Sequence, residues 1–389
     1  MNERSARLAL QSETSIDAGE PMSDDGNTPL VSIIVLNYDG RELLSECLKS
    51  LLQLTEYPRF EVLVVDNGSK DDSVEVASKI VSRWRRAKVI ALEKNFGYAE
   101  GNNLGYCSAS KQAKYIVFLN NDIVVTQGWL KRLVSVLEDR EDIGAAQPLI
   151  IAQDKAGVDG ASFLGGYLDV FGDDCSVRTP GPSFEPERVD TPSECFYALG
   201  AALVTRRDVI SEIGLFNPRY FLNYEETDFC WRVRLSGRKV AVVLSSKVYH
   251  AASATIKKHV ISLAVPYHTY KNRLYTLLVN YQCRNVIRYV PLTIISHTAG
   301  LICNMVSSVI ERGAKREISK ARASGGMKSL LYILTHFPAI WRDRLMVQTQ
   351  IRRIADAELI GRFIIVPRPP LPRSIVEMAR KLATLTRTR

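Results

Sequence analysis

The sequence predicts an α/β fold, an open and mostly parallel sheet flanked by helices, followed by a C-terminal helical region of different character. Apolar runs typical of buried strands alternate with segments of helical periodicity through the first part of the 389-residue chain. Polar residues follow the clearest of these strands at their carboxyl ends. Beyond residue 262, basic and aromatic side chains mix with long apolar runs. These observations predict a sheet domain with a functional edge and a separate helical region.

The first part of the alternation contains four predicted strands. Valine, isoleucine, leucine and phenylalanine dominate their centres, which indicates burial on both faces of a sheet. The predicted strands are VSIIVLNY (31–38), EVLVVDNGS (61–69), 88–92 and YIVFLNNDIVV (115–125), and the predicted helices end near Leu54, Arg85 and Ser110. The Gly- and Asn-rich stretch EKNFGYAEGNN (93–103) predicts a loop before the third helix.

The second part of the alternation is less regular. A helix at 129–138 and a strand at GAAQPLII (144–151) precede the stretch 152–195, whose Gly, Asp, Pro and Ser content predicts an irregular insert. An acidic cluster then begins a helix that Gly237 ends, and the strand that follows runs into His250.

Polar side chains follow three of the predicted parallel strands. Asn37 and Tyr38 end the first strand, Asp66 follows the second, and Asn121 and Asp122 follow the fourth. The carboxyl ends of parallel strands meet at one edge of a sheet, and ligands of such sheets bind there. Solvated turns would explain one polar cluster more easily than three, so we predict a binding site at this edge.

Asp122 is the predicted metal ligand at this edge. Mg²⁺ and Mn²⁺ prefer a few oxygen ligands together with substrate phosphates. A metal that bridges a diphosphate neutralises the charge that builds on it as it leaves. The neighbouring amides Asn120 and Asn121 keep the site from carrying excess negative charge.

Two further features have alternative interpretations when the residues are considered alone. Glu225, Glu226 and Asp228 are either ordinary N-terminal charges of a helix or include a general base whose pKa burial raises. His250 is either a structural residue or a ligand.

The net charge of +9 is concentrated in the C-terminal part of the chain. Residues 311–389 hold 17 Lys and Arg but only 6 Asp and Glu. Such a region either contacts an anionic surface or is a solvated charged face. The sequence contains no recognised nucleic-acid motif, and basic and aromatic residues beside apolar runs are more typical of membrane contact. We therefore predict contact with a membrane surface and no nucleic-acid partner.

The stretch 289–310 contains 22 residues without a formal charge. This length could span a bilayer, although Pro291, His297 and Asn304 weaken the pattern. An amphipathic or re-entrant segment at the membrane interface explains the stretch as well as a span does. A buried helix of a soluble accessory domain is the remaining alternative.

The seven cysteines are odd in number and widely spaced, with no CxxC pair. This pattern excludes a disulfide framework and indicates a reducing compartment. No apolar run precedes Leu30, so the sequence indicates no secretory signal, and residues 1–29 are predicted to be disordered.

Taken together, these segments resemble family 2 inverting glycosyltransferases, most closely the rhamnosyltransferase-like branch. The resemblance covers residues 30–255 and rests on the order and spacing of six segments rather than on one motif. The segments are VSIIVLNYDGRELLSECLKSLL, VLVVDNGSKDDS, EKNFGYAEGNN, FLNNDIVV, GAALVTRRDVISEIGLFNPRYFLNYEETDFCWRVRLSGRKV and VYH. The resemblance implies a GT-A fold, a nucleotide-sugar donor of dTDP or UDP type, Mg²⁺ or Mn²⁺, and single-displacement transfer with inversion.

The resemblance also implies roles for individual residues in donor binding. Asp66 corresponds to the carboxylate that holds the base or ribose. FLNND resembles the metal motif, with Asp122 as the metal ligand, although Asn120 stands where many members have an acid. The remaining implied donor-pocket residues are Asn37, Tyr38, Asn95, Gly97, Asn103 and Asn121.

In YEETDFCWR, Glu225 and Glu226 match a motif usually written Glu-Asp, whose second acid is the general base. The resemblance therefore implies Glu226 as the base, with Glu225 and Asp228 as alternates. His250 matches a histidine that reaches the metal or the diphosphate.

The resulting prediction is a metal-dependent glycosyltransferase that moves rhamnose or another deoxysugar or hexose to a glycan or lipid-linked acceptor. The predicted divisions are a disordered segment at 1–29, a GT-A domain at 30–262, and a basic helical region at 263–389. The predicted location is the cytoplasmic face of a membrane, where the protein is either peripheral or has one C-terminal membrane segment. A non-catalytic nucleotide-sugar-binding or scaffold protein of the same fold is the alternative.

Overall fold

The centre of the fold is an eleven-stranded mixed sheet whose central strands are almost entirely apolar. The computed structural model describes residues 28–153, 159–179, 191–251, 264–368 and 371–372. The strands are β1 (Val31–Asn37), β2 (Phe60–Asp66), β3 (Ala87–Ala91), β4 (Tyr115–Asn120), β5 (Ile123–Val125), β6 (Ile143–Gln153), β7 (Asp159–Phe163), β8 (Leu168–Asp169), β9 (Arg178–Thr179), β10 (Ser193–Glu194), β11 (Ala202–Arg206), β12 (Lys239–His250) and β13 (Ile364–Ile365).

Helices cover both faces of this sheet and continue beyond it. The helices are α1 (Arg41–Leu54), α2 (Ser73–Val81), α3 (Gly97–Cys107), α4 (Trp129–Asp139), α5 (Arg207–Ile213), α6 (Glu225–Leu235), α7 (Ala264–Asn280), α8 (Cys283–Ile310), α9 (Gly313–Thr335), α10 (Phe337–Met346) and α11 (Asp356–Leu359). Two apolar cores result, one on each face, and α1, α2 and α4 lie on one of them while α3, α6 and α7 lie on the other.

Strand direction brings distant parts of the sequence to one edge. The main strand order is β10-β12-β6-β11-β4-β1-β2-β3. Strands β1, β2, β3 and β4 are parallel, and β11 runs antiparallel between β4 and β6. Because β12 is parallel to β6, it ends at the same edge as β1, β2 and β4, and β11 begins there. The sheet therefore delivers His250 to the edge that carries Asn37 and Asp66.

The predicted alternation of strands and helices is confirmed, with corrections in two places. The stretch 93–103 is not entirely a loop, because α3 begins at Gly97, whose φ of +82° allows the chain to turn directly into the helix. The predicted irregular insert, 152–195, contains β7 to β10 in its described parts, which pair with one another, the main sheet or β13. Of the predicted disordered segment, residues 1–27 lie outside the described residues.

The C-terminal helices pack against the sheet domain and against one another. Helix α7 contacts α6, and α9 packs along both α7 and α8. Only two residues separate α8 from α9, so the two form an antiparallel hairpin. Within the described ranges, α8 is the one helix whose length and hydropathy would allow it to cross a bilayer.

Candidate active site at the carboxyl edge of the sheet

A row of side-chain hydrogen bonds joins the ends of three adjacent strands. Asn37, which ends β1, donates through Nδ2 to Oδ1 of Asp66 at the end of β2, over 2.9 Å. Asn121, just past β4, donates through Nδ2 to Oδ1 of Asn37 over 2.6 Å. Ser69 donates to Asp66 from both its backbone N–H and its hydroxyl. All three strand-end residues are buried, so the predicted convergence of Asn37, Asp66 and Asn121 is present.

Gly40 provides the space in which this row is packed. A Cβ at Gly40 would collide with the amide of Asn121 and would lie 2.9 Å from Oδ1 of Asn37. Tyr38 lies between Gly40 and the end of β1 and is half-buried at the same edge. The Asn-Tyr-Asp-Gly turn is therefore part of the site and does more than connect β1 to α1.

Asn67 holds the predicted donor loop against the edge of the sheet. Its Nδ2 donates to Oδ1 of Asn95 and to the carbonyl of Gly97, and its Oδ1 accepts from the N–H of Phe96. Oδ1 of Asn95 also accepts from the N–H of Gly97 at 2.8 Å. Asn95 and Gly97 thus lie beside Asp66, as predicted from the motif.

Asn103 is placed differently from Asn95 and Gly97. It lies on α3, where its Nδ2 donates to Glu100 and to the carbonyl of Phe216. These bonds tie α3 to the segment that follows α5. In this structure Asn103 anchors α3 to that segment through its Nδ2. Its Oδ1 is buried and has no hydrogen-bond partner.

Asp122 and His250 form a pair at the end of the row. Strand β12 pairs with β5, and His250 is opposite Ile123, the residue after Asp122. Nε2 of His250 lies 3.2 Å from Oδ1 of Asp122, and the Asp122 side chain is only 7% exposed. This buried oxygen has no hydrogen-bond partner that satisfies angular criteria.

These two side chains fit a divalent cation as a partial ligand set. Carboxylate and imidazole are both ligands for Mn²⁺, whereas Mg²⁺ depends on oxygen ligands. No group of three or more His, Cys, Asp or Glu residues arranged for a metal occurs among the residues that the structure describes. A cation held by Asp122 and His250 would therefore need further oxygen ligands, which a diphosphate supplies.

A strained turn presents the acidic cluster to the same edge. Phe221, Asn223 and Tyr224 all have positive φ, of 60°, 68° and 70°, immediately before α6 begins at Glu225. Non-glycine residues adopt this conformation at an energetic cost, and they do so where the surrounding structure enforces it. The predicted start of a helix at the acidic cluster is confirmed.

Helix α7 holds this turn through its polar residues. The buried Nδ2 of Asn272 lies 2.9, 2.8 and 2.7 Å from the carbonyl oxygens of Tyr220, Leu222 and Asn223. The adjacent Lys271 donates to the carbonyl of Arg219. Helix α7 thus supplies donors to carbonyl oxygens of the turn, and buried carbonyl groups need such partners.

Glu225 and Glu226 are both placed where a carboxyl group holds its proton more firmly than in water. Burial raises the pKa of Glu225 well above its usual range, and the neighbouring Glu226 raises it further. Burial also raises the pKa of Glu226, while the N–H groups of Glu226, Gly200 and Thr227 oppose the shift. One oxygen of each carboxyl group is buried without a hydrogen-bond partner.

Tyr98 links the acid pair to the donor loop. Its hydroxyl donates to the carbonyl of Gly200 at 2.6 Å, just before β11. Burial raises its pKa well above the usual range, and the nearby negative charges of Glu225, Glu226 and Asp122 raise it further. The acid pair and Asp122 therefore lie around one tyrosine, which joins the two halves of the site.

Asp228 is directed elsewhere. Its two carboxylate oxygens accept from Nε of Arg232 at 2.9 Å and from Nδ2 of Asn280 at 2.8 Å. All three side chains are buried, so Asp228 is paired and hydrogen-bonded on the far side of the helix start from the sheet edge. Asp228 and Arg232 line an open cavity of about 470 Å³ together with residues of α10, including Asp343.

The structure thus brings together Asn37, Asp66, Asn95, Gly97, Asn121, Asp122, Glu225, Glu226 and His250. Sequence reasoning missed Gly40, Tyr98, Lys271 and Asn272. A glycine after Asn-Tyr-Asp was a weak signal for Gly40. Lys271 and Asn272 gave none, because their roles depend on where α7 packs.

Comparisons with known proteins agree with this fold. A family model described as glycosyl transferase family 2 matches residues 32–214, which include β1 to β4 but end before the acid pair. The chain superposes on a crystal structure of GalNAc-T7 with UDP, GalNAc and Mn²⁺ with a TM-score of 0.53 at 18% identity. The match covers 81% of this chain and 59% of that one, and it shows that the fold is GT-A.

Two curated relatives illustrate the sequence similarity. The chain is 29% identical over 234 residues to the O-antigen biosynthesis protein RfbC of Myxococcus xanthus, which covers 59% of this chain and 18% of that protein. It is 26% identical over 239 residues to the N-acetylglucosaminyl-diphospho-decaprenol L-rhamnosyltransferase of Mycobacterium tuberculosis strain H37Rv, covering 57% of this chain and 76% of that one. The chain spans 18% to 44% of the length of the first three curated relatives that it matches.

Proposed function

We propose that this chain, which carries a family 2 glycosyltransferase domain with the GT-A fold, is an inverting glycosyltransferase. The observation that supports this most strongly is the convergence of Asp66, Asp122, Glu226 and His250 at one sheet edge. They come from three strand ends and one helix start that are far apart in sequence. A scaffold would have no need to keep a buried glutamate and a half-buried one beside an aspartate–histidine pair.

Glu226 is the general base of this proposal. The raised pKa of its carboxyl group makes it a stronger proton acceptor, and the N–H of Gly200 helps to orient it. It takes the proton of an acceptor hydroxyl, and the oxygen attacks the anomeric carbon opposite the bond to the leaving nucleoside diphosphate. The configuration at that carbon inverts. Glu225, which is more deeply buried, keeps its proton and spares the site a second negative charge.

Asp122 and His250 are the proposed ligands of a divalent cation, Mn²⁺ or Mg²⁺. Such a cation, when bound, neutralises charge on the donor diphosphate as it departs. Asp122 Oδ1, buried and without a good partner, is the atom best placed to contact it. The GalNAc-T7 structure, which has a similar fold, contains Mn²⁺, and this supports the proposal that a divalent cation binds here.

Asn37, Tyr38 and Asp66 are proposed to line the pocket for the nucleotide, and Asn95 and Gly97 border it. We propose a dTDP- or UDP-sugar donor, with rhamnose as the leading sugar because several relatives are named rhamnosyltransferases. The proposed acceptor is a glycan or a lipid-linked glycan, and the name of the mycobacterial relative contains such a lipid-linked sugar. The proposed location of the reaction is the cytoplasmic face of a membrane.

The decisive experiment is a transfer and hydrolysis assay with dTDP-rhamnose and UDP-sugars, with and without Mn²⁺. Transfer that requires the metal supports the proposal. Glu226→Gln should bind donor with nearly unchanged affinity, measured by calorimetry, and lose turnover by roughly 10² to 10⁴. Glu225→Gln is the matched control and should retain more activity. Donor binding without turnover in the unmodified protein would instead support the non-catalytic alternative.

A further inference from the structure

Helix α8 exposes a continuous apolar stripe along one face. Ile287, Ile294, Ile302, Val306 and Val309 are exposed, by 75% at Ile287 and 80% at Val309. Their spacing of seven, eight, four and three residues keeps them on one side of an α-helix. No charged residue occurs between Arg288 and Glu311. Contiguous exposed apolar surface of this extent marks an interaction site.

The stripe continues onto the neighbouring helices. Leu331 and Leu334 at the end of α9 are exposed by 59% and 74%, and Met327 precedes them by one helical turn. Phe337 and Trp341 on α10 are both about half exposed and stack on each other. Because α9 returns antiparallel along α8, its carboxyl end lies beside the amino end of α8, where Ile287 is.

In its first half, the opposite side of α8 is packed against protein. Tyr289 and His297 are buried there, and their rings lie against Phe171 of the sheet domain and Tyr270 of α7. Thr293 and Ser296 on the same side are also buried. A helix that crosses a bilayer alone would have lipid around its whole circumference, whereas α8 is packed against the sheet domain and α7 in its first half and has α9 beside it.

Basic residues flank the apolar stripe. Arg284 and Arg288 are exposed at the beginning of α8, and the first half of α9 exposes more charges than any other part of the hairpin. The exposed charged residues of that half are Lys315, Arg316, Glu317, Lys320 and Arg322. Helix α9 runs along α8, so placing α8 across a bilayer would carry these side chains into the hydrocarbon.

We propose that the exposed face of α8, α9 and α10 binds in the plane of an anionic membrane leaflet and does not cross it. The apolar stripe enters the boundary between headgroups and acyl chains, and the arginines and lysines contact anionic headgroups. A second copy of the chain would bring like charges together across the same surface, so lipid is the better occupant. The inference rests on the proposed function in one respect, which is that a membrane carries the acceptor.

Vesicle flotation of the full chain tests the surface. Binding should be strong to vesicles with 30% phosphatidylglycerol, weak to phosphatidylcholine alone, and reduced by high salt. Ile302→Asp and, separately, Lys320→Glu should each weaken binding at least tenfold. Val366→Asp, at an exposed valine outside the helices, is the matched control and should bind as the unmodified chain does. Equal binding by Ile302→Asp and the unmodified chain would overturn the proposal.

Depth distinguishes binding in the plane from a span. Fluorescence of Trp341 should be quenched more by lipids brominated near the headgroup than by lipids brominated near the chain end, and Trp341→Phe should remove this quenching. Stronger quenching by the deep bromines, or retention in membranes after alkaline carbonate washing, would show a span. A dimer in light scattering that Ile302→Asp dissociates, without vesicle binding, would assign the surface to a second copy and also overturn the proposal.

These results are separable from the transfer reaction. Glu226→Gln should float with vesicles as the unmodified protein does. Ile302→Asp should hydrolyse donor at the unmodified rate in the absence of membranes. Failure of catalysis therefore leaves the vesicle result intact, and failure of vesicle binding leaves the catalytic result intact.

Discussion

Glu225 and Glu226 are adjacent in sequence, yet α6 places their carboxyl groups in different surroundings. Glu226 accepts from the N–H groups of Gly200 and Thr227, whereas Glu225 has the negative charge of Glu226 beside it. The partly accessible, hydrogen-bonded carboxylate is the better base, since it can ionise and still meet an acceptor. The fully buried one is better suited to stay protonated.

The raised pKa of Glu226 predicts the pH dependence of turnover. A base works only when ionised, so kcat/KM should fall as the pH drops through that raised pKa, at a higher pH than for an exposed glutamate. Glu226→Asp should keep an acid limb with reduced kcat, whereas Glu226→Gln should lose the limb with the activity. A pH–rate profile measures both. An acid limb that survives in Glu226→Gln would place the base elsewhere.

Glu225→Gln should stabilise the fold at neutral pH. The folded-state pKa of Glu225 lies above the unfolded value, so its favourable contribution is full below the unfolded pKa and is lost as the pH rises through the folded one. At pH 7 the buried carboxyl therefore destabilises, and Gln should raise the free energy of unfolding by about 1 to 3 kcal/mol. The gain should vanish near pH 4, which urea titrations at both pH values can measure.

Asp228→Asn is the contrasting control for that measurement. Asp228 is buried but is paired with Arg232, so removing its charge leaves the guanidinium uncompensated. We expect a loss of about 3 to 5 kcal/mol at pH 7. Stabilisation by both changes would contradict the difference in environment on which the assignment of Glu226 depends.

Gly40→Ala should disturb the row that joins Asn37 to Asn121. The added Cβ would occupy the space of the Asn121 amide, and overpacking of this kind costs about 1 to 3 kcal/mol. Donor affinity should fall as well, because Asp66 depends on the same row. Calorimetric titration with nucleotide measures this. Gly300→Ala on α8 is the control, because nothing lies within 4 Å of the new Cβ. It should leave the free energy of unfolding and the affinity for nucleotide undiminished.

The sequence motifs predicted which residues belong to this site, but they did not predict the contacts that surround those residues. Asp66 and His250 end strands, Asp122 lies two residues past the end of β4, and strand ends of a parallel sheet are predictable from apolar periodicity alone. Asn103 was predicted beside the donor because it belongs to the motif, but helix geometry turns it towards the carbonyl of Phe216. Tyr98 acts through a contact with Gly200, more than a hundred residues away, which no local pattern reveals.

At the scale of elements, α7 supports the turn that precedes Glu225. It begins beyond the family match and beyond the predicted sheet domain, yet Lys271 and Asn272 bind four consecutive or nearly consecutive carbonyls of the turn. Tyr220 also meets Thr276 of α7 through its hydroxyl at 2.8 Å. The positive φ angles before Glu225 persist because this helix supplies the compensating bonds.

Asn272→Ala should therefore reduce kcat with little change in the KM for donor. The carbonyls of Leu222 and Asn223 would lose this donor, while that of Tyr220 would keep the N–H of Leu222. The strained turn would relax, and the carboxyl of Glu226 would be displaced from the acceptor. A loss of roughly tenfold to a hundredfold corresponds to about 1.4 to 2.7 kcal/mol of transition-state stabilisation. Asn304→Ala on α8, whose amide bonds only to Gly300 of its own helix, is the matched control. Equal effects of the two changes would contradict a positioning role.

The ends of a strand or helix were predictable where the burial of apolar residues determines them. They were not predictable where side-chain hydrogen bonds determine them. The strands β1, β2 and β4 were found because almost every residue in them is apolar. Helix α3 begins earlier than predicted because Asn67 and Asn95 bond the backbone around Gly97, and a Gly- and Asn-rich composition alone indicates a loop. For α8, composition could not separate a span from a surface helix, because the difference lies in what α7 and α9 cover.

The whole molecule depends on contacts between the predicted sheet domain and the C-terminal helices. Trp231 of α6 packs edge-on against Tyr281 beyond α7, with ring centroids 4.9 Å apart, and Asn280 holds the buried Asp228. Arg273 of α7 forms a salt bridge with Asp173 in the insert. The region from 264 onward therefore completes the core as well as providing the proposed membrane surface.

A chain ending at residue 262 should consequently fail to form a stable, active enzyme. It would expose Trp231, leave Asp228 and Arg232 half uncovered, and remove every α7 donor from the turn before Glu225. Each of these losses costs on the order of 1 to 5 kcal/mol, which together equal the stability of a typical domain. We expect aggregation or a broad, non-cooperative thermal transition, measured by circular dichroism.

A chain ending at residue 372 retains all of these contacts and should unfold cooperatively, near the temperature of the full chain. Cooperative unfolding of the shorter chain, with donor hydrolysis intact, would show that α7 lies beside the turn before Glu225 and does not hold it.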